Sequence, residues 1–323
     1  MSSRSSSPDR PVAVSVRRLP YIACILLVVV RLAIGWQLLY EGLWKINSLP
    51  TAKPWTAEGY LKNSAGPFRD TFRGMLDDPD DLEKLDYAKV TAKWDRWVDL
   101  FIRTYPDLDE DAKKRLGTIV AKKKVELEAD LVKNATWVGD PSKKIVGEIE
   151  IYKAMLKKYE ERLKDAKLEY QREHLEKTWA DIQAKRKMLV EPAEKMTKEI
   201  EAQAQKLLTV DQLRRGKLPQ LPKKVDEIDQ RSMWGLTVVG ALLILGLFTR
   251  LASLAGAALI TLFYLAMPPW PGVPDPPGPE HSFIVNKNLI EVLMLLAFAC
   301  MPTGRWLGLD AWIRRFLLGR KTD

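Results

Sequence analysis

Three apolar runs constrain this chain more than any other feature: residues 20 to 46, 232 to 267 and 283 to 303. The first is too long for the hydrophobic region of a typical signal peptide, and no small-x-small cleavage site follows it. It reads as a retained membrane anchor, with a cleavable leader as the competing reading. The second run, about 35 residues, is nearly twice what one crossing needs. Thr249-Arg250 breaks it, which predicts a hairpin of two spans, Ser232 to Phe248 and Leu251 to Met267. The third run gives a span from about Phe283 to Pro302. With a first span from Leu19 to Ile46, the expectation is an all-α protein with a four-helix transmembrane bundle.

Bulk composition hides this pattern. The mean hydropathy is −0.19 and 29% of residues are charged, values that suit a soluble protein, because residues 48–230 are mostly charged. That stretch holds 37 Lys and Arg against 35 Asp and Glu, so the net charge of +9 comes from elsewhere. It comes from the segments flanking the spans: Arg4, Arg10, Arg17 and Arg18 before the first, Arg250 in the hairpin, and Arg305, Arg314, Arg315, Arg320 and Lys321 after the last. Four spans put all of these on one side, and the positive-inside rule makes that side the cytoplasm. Both termini are then cytoplasmic and residues 48–230 extracytoplasmic. The charge pattern is one of membrane orientation, not of a nucleic-acid surface, so no nucleic-acid partner is expected.

The expected organisation is a disordered tail at 1–16, a first transmembrane helix at 17–47, an inserted charged helical domain at 48–230, three further spans within 231–303 and an amphipathic tail at 304–323. The proline-rich loop 268–282 is read either as a stiff cap over the spans or as a plain connector. In the tail, Trp306, Leu309, Ile313, Phe316 and Leu317 share one face of a single helix lying on the inner membrane surface.

Within the insert, Ile145, Ile149, Tyr152, Leu156, Tyr159, Leu163, Ala166 and Tyr170 alternate spacings of four and three, a heptad seam. The register skips and resumes at Leu175, Trp179, Ile182 and Leu189. Glu191-Pro192 predicts a kink or break before a further helix, Ala193 to Leu208. Upstream, helical intervals over Asp81 to Tyr105 end at Pro106, and another helix follows to about Asn134. The expectation is an antiparallel, coiled-coil-like bundle with a spacing or partner-binding role, the partner docking through residues 83–210. Asp77-Asp78-Pro79-Asp80-Asp81 lacks the alternating ligands and glycine of a calcium loop and reads as a solvated turn and helix cap.

Chemistry, if present, belongs to the spans. Only two histidines and two cysteines occur, without metal-ligand spacing, so no metal is expected. Cys24 and Cys300 read as buried small hydrophobes, with a redox pair as the alternative. Arg31 and Glu291 each lie 11 residues from an expected cytoplasmic helix end, roughly 16 Å deep. Charges at that depth need partners, so the two are expected to pair. Gln37, Glu41 and Lys45 repeat every four residues, and Asn286, Lys287 and Asn288 begin the last span. These residues line an outward-facing polar pocket, or make buried hydrogen bonds that fix helix packing, or snorkel to the interface.

Three short stretches carry a family resemblance: Arg31-Leu-Ala-Ile-Gly35-Trp-Gln-Leu-Leu-Tyr-Glu41-Gly42-Leu-Trp-Lys45, Leu245-Gly246-Leu247-Phe248-Thr249-Arg250-Leu251-Ala252, and Asn286-Lys287-Asn288-Leu289-Ile290-Glu291. In order and placement, over residues 17–47 and 231–313, the chain resembles the DoxX family of four-helix bacterial membrane proteins, which includes the small subunit of thiosulfate–quinone oxidoreductase. The resemblance implies a bacterial inner-membrane location and a subunit role in a quinone-linked oxidoreductase, with quinone as the redox partner. It favours Arg31, Gly42, Lys45, Asn288 and Glu291. Arg31 and Glu291 are thus the candidate catalytic pair, and Gln37, Glu41, Lys45 and Asn288 the candidates for binding quinone. The insert at 48–230 departs from the family's short connection. A non-enzymatic scaffold or assembly factor, recruiting its partner through the insert, is the alternative.

Overall fold

The computed structural model describes residues 20–51, 53–135, 147–166, 169–270 and 284–318. The expected disordered tail, most of the proline-rich loop and Ile145 of the heptad seam lie outside them. Among the described residues the chain is helical, without a β-strand. In chain order the helices are α1 (Tyr21–Ser48), α2 (Glu58–Lys62), α3 (Arg69–Arg73), a 3-10 turn (Leu82–Leu85), α4 (Tyr87–Thr104), α5 (Glu110–Ala135), α6 (Glu148–Asp165), α7 (Glu169–Gln205), α8 (Val210–Leu213), α9 (Lys224–Leu245), α10 (Thr249–Ala266), α11 (Lys287–Cys300), α12 (Thr303–Trp306) and α13 (Leu309–Leu318). Of these, α1, α9 and α10 are long and apolar enough to cross a membrane. Helix α11 has 14 residues, about 21 Å against a hydrocarbon core of about 30 Å. Its length comes from its ends: the Asn286 side chain accepts from the Leu289 N–H at 3.0 Å at one end, and Pro302 follows closely at the other.

The chain divides into two compact units. The first contains Met1–Asn47, Met233–Leu259 and Glu291–Asp323; the second contains Ser48–Ser232 and Ile260–Ile290.

In the first unit, glycines set how closely the helices approach. A Cβ on Gly240 would stand 2.4 Å from the Leu39 backbone nitrogen, and one on Gly42 would stand 2.6 Å from that of Thr237. Backbones this close leave no room for a side chain, the small-residue packing that membrane helices favour. The break between α9 and α10 falls at Gly246–Phe248, slightly earlier than Thr249-Arg250, and Arg250 sits in the first turn of α10. The reason is a Schellman ending: Gly246 adopts φ +63°, Leu247 N–H donates to the Leu242 carbonyl at 3.0 Å, and Gly246 N–H to that of Leu243 at 3.3 Å. The C-terminal segment is also broken. Residues Leu307 and Gly308 separate α12 from α13, so Trp306 does not share a helix face with Phe316, and Trp312 joins the exposed face instead. Both cysteines are free, and Cys300 is exposed rather than buried.

In the second unit, α4 to α7 enclose a common core that includes Trp94, Phe101, Leu116, Leu127, Tyr152, Leu156, Ile182 and Ile200. The heptad positions Ile149, Tyr152, Leu156 and Tyr159 are buried along α6, while Tyr170 is exposed. Both core indoles find acceptors: Trp94 Nε1 donates to Thr197 Oγ1 and Trp97 Nε1 to the Pro219 carbonyl, each at 2.9 Å. Helix α7 does not break at Pro192 but runs on to Gln205. Leu189, Val190, Ala193 and Ile200 are buried in the core on both sides of the proline, and this packing offsets the one backbone hydrogen bond the proline removes.

The acidic run at 77–81 is a cap, but not a solvated one. Asp78 accepts from the Leu82 and Glu83 N–H groups. Asp81, however, is buried at φ +56° and forms ion pairs with Lys62 at 2.9 Å and Lys84 at 3.1 Å. Beside it Arg69 forks onto Glu160, and Arg73 pairs with Asp80 and donates to the Lys62 carbonyl. Both guanidinium groups stack over Trp179, at 5.6 Å and 5.3 Å from its ring centroid. These cations tie the short helices α2 and α3 to α6 and α7. The sequence alone does not reveal the partners, because they are distant in the chain: Glu160 lies 91 residues from Arg69, and Trp179 lies farther still.

Candidate functional site

The candidate residues of the first unit lie on the side of α1 that its packing buries. Val28, Arg31, Ile34, Gly35, Leu38, Gly42 and Lys45 form the buried stripe, and Gln37 and Glu41 border it. Opposite them, Trp36, Tyr40 and Trp44 are exposed.

Gln37 Nε2 donates to Glu291 Oε1 at 2.5 Å. Glu291 is buried on the inner face of α11, with Val292, Leu295 and Phe298. The contact uses one of Gln37's amide hydrogens and leaves its other N–H and its oxygen for a further group. Two turns along α1 the buried Lys45 lies 3.8 Å from Glu41, an i, i+4 pair. Asn288 is half-buried and three residues before Glu291 on α11, a spacing that sets the two on one helix face. It belongs to the second unit.

Arg31 does not pair with Glu291. It is 1% exposed, and its Nη1 and Nη2 donate to the backbone carbonyls of Thr303 at 2.9 Å and Leu307 at 2.7 Å. Helical side chains lean toward their own N-terminus. The long arginine therefore reaches several ångströms below its Cα, away from the level of Gln37. Matching Cα depths without that lean produced the expected pair. The arginine instead fastens the segment that follows α11, taking the carbonyl at the start of α12 and the one just past its end.

Asp310, which sequence reasoning missed, completes this arrangement. Its N–H donates to the Gly246 carbonyl at 2.9 Å. Its carboxylate accepts from Phe248 N–H at 2.7 Å and Thr249 N–H at 3.0 Å, capping α10 where the helix dipole favours an anion. Gly246 and Gly308 meet backbone to backbone between the two: a Cβ on Gly246 would lie 2.7 Å from the Gly308 Cα and 3.0 Å from Arg31 Nη1. The only sequence signal for this junction is an Asp at the start of a helix after a Gly-Leu pair. Nearby, Arg31 Nε and the hydroxyls of Thr249, Ser253 and Thr303 are buried without a hydrogen-bond partner.

Among the described residues no group of three or more His, Cys, Asp and Glu side chains is arranged to hold a metal ion. Comparison with family models, with curated proteins and with solved structures finds no match to this chain.

Proposed function

We propose that this chain is a DoxX-like subunit of a quinone-linked oxidoreductase in a bacterial inner membrane. In this reading α11, extended by its flanking residues, forms a fourth crossing. Both termini face the cytoplasm and residues 48–230 face outward. The observation that carries the reading is the Gln37–Glu291 contact, a buried carboxylate on one apolar helix hydrogen-bonded to an amide on another. A polar pair among apolar helices is costly to keep, and such residues mark substrate or proton routes.

The chemistry suits the residues. A quinone takes up two electrons and two protons as it becomes the quinol. Gln37 retains an N–H to donate to a quinone carbonyl, and Glu291 is a carboxyl able to pass on a proton. Glu41 and Lys45 extend the polar strip along α1. A partner protein supplies the electrons. Arg31 has a positioning role only, since its hydrogen bonds go to backbone carbonyls. The test is to purify the protein from its native membrane and assay bound quinone and electron transfer, with Glu291→Gln alongside. The reading fails if no quinone copurifies and the variant transfers electrons at the parent rate.

One observation favours a second reading, a scaffold that recruits a partner through residues 83–210. The second unit has its own apolar core, and it also exposes Val125 and Val132, seven residues apart on α5, and Met188 on α7. Crosslinking in cells then traps partners through this segment, and deleting it abolishes the phenotype while Glu291→Gln leaves it intact.

A further inference from the structure

Helix α13 begins at the Asp310 clasp, where the α9–α10 turn holds it through one backbone hydrogen bond and two from backbone N–H groups to the Asp310 carboxylate. Arg250 follows one of those donors, Thr249, in sequence. Arg305 follows Gly304, whose Cα side faces Thr249 Oγ1 and the Asp310 carboxylate. Arg314 and Arg315 come one turn into α13. All four arginines are exposed. Among the described residues no carboxylate lies within ion-pair distance of any of them, and Asp310, the sole acidic residue from Val292 to Leu318, is taken up by backbone N–H groups. Four exposed guanidinium groups thus come from the segments that meet at the clasp, without an ion-pair partner among the described residues.

The same helix leaves large apolar groups uncovered. Trp312 is 72% and Phe316 81% exposed, and Leu309 is 42% exposed. Spacings of three and four put these three on one face, with Arg314 opposite and Arg315 on the flank. Phe248 and Leu251, beside the clasp, are also exposed. The unit that carries this surface also contains α1, which is long and apolar enough to cross a membrane. An aromatic face edged by unpaired arginines fits the headgroup region of a bilayer, where rings enter the acyl boundary and guanidinium groups fork onto phosphate. We propose that the clasp fixes α13 in the membrane interface as a binding site for anionic phospholipid, with Arg250, Arg305, Arg314 and Arg315 on the phosphates and Trp312 and Phe316 inserted beside them. This holds whether or not Glu291 takes part in redox chemistry.

The test uses the full chain in bilayers of phosphatidylcholine with and without phosphatidylglycerol. In a Cys24→Ser, Cys300→Ser background, an environment-sensitive fluorophore is attached through Trp312→Cys, Phe316→Cys or Arg314→Cys. Labels at 312 and 316 are expected to shift to the blue and be quenched by spin-labelled lipid, while a label at 314 stays aqueous. Native mass spectrometry should find phosphatidylglycerol retained over phosphatidylcholine, with the preference falling roughly fivefold for each Arg→Gln change. Thermal unfolding of the Arg→Gln variants at the parent temperature confirms that they fold. The proposal is overturned if labels at 312 and 316 read as aqueous as 314, or if removing all four arginines leaves the lipid preference unchanged.

Discussion

The guanidinium of Arg31 donates to the carbonyl oxygen of Thr303 at 2.9 Å, across 272 residues of sequence. With the second bond to Leu307, one side chain of α1 fixes the peptide that leads from α11 into α13. Replacing it by Met keeps the volume but removes the hydrogen bond to the Leu307 carbonyl and leaves the Thr303 carbonyl with the Leu307 N–H alone. The expected cost is about 2 kcal/mol, chiefly from the one acceptor left unpaired. Lys at this position is not a substitute, because a single ammonium lacks the planar fork that spans two acceptors. Thermal unfolding in detergent should place Arg31→Met and Arg31→Lys both well below the parent. A lysine variant with parent stability would contradict the role.

Glycine positions in the first unit give a steric prediction. Gly240→Val forces the backbones of α1 and α9 apart, since its Cβ would lie 2.4 Å from the Leu39 nitrogen. Gly246→Ala meets the Gly308 Cα and also carries the penalty of a left-handed φ, which costs about 1 kcal/mol before any clash. Both variants should lose folded yield in membranes. Gly117→Ala, with open space around its Cβ, should match or exceed the parent in stability.

The ion-pair cluster of the second unit predicts a pH dependence. Burial works to raise the Glu58 carboxyl, but the hydrogen bond and charge of Lys62, helped by Lys223 and Lys84, outweigh it and hold the group at about 2. A carboxyl depressed on folding stabilises the fold above its unfolded value, near 4.5, and that contribution fades as pH falls toward about 2. Amide hydrogen exchange in α2 should therefore quicken across this window, beyond the intrinsic pH effect on exchange. Glu58→Gln should remove the extra acid sensitivity.

The apolar runs made the three long helices legible in the sequence, and the heptad spacing picked out the buried residues Ile149, Tyr152, Leu156 and Tyr159. Both signals are local and periodic. The features the sequence left hidden depend on contacts between distant segments. Arg31 shows this well. Its depth marked it as a buried cation needing acceptors, yet depth alone did not distinguish a carboxylate from the carbonyls past the end of α11. Pro192 predicted a kink or break by local rule, and the break does not occur, because packing on both sides of it carries the helix through. Asp81 looked solvated because its neighbours are acidic, whereas Lys62 and Lys84 enclose it. In the candidate site, Gln37 and Glu291 were each legible as buried polar residues, but their contact across 254 residues was not.

The role proposed for the Gln37–Glu291 pair is quinone chemistry and not helix packing alone. The most direct measurement is quinone content and electron transfer in the complex purified from its native membrane, for the parent, Glu291→Gln and Gln37→Glu. Quinone is expected to copurify with the parent, and Glu291→Gln to keep the fold while electron transfer falls at least tenfold, about 1.4 kcal/mol in barrier. Parent-level electron transfer in a folded Glu291→Gln protein, with no quinone bound in any sample, would contradict it.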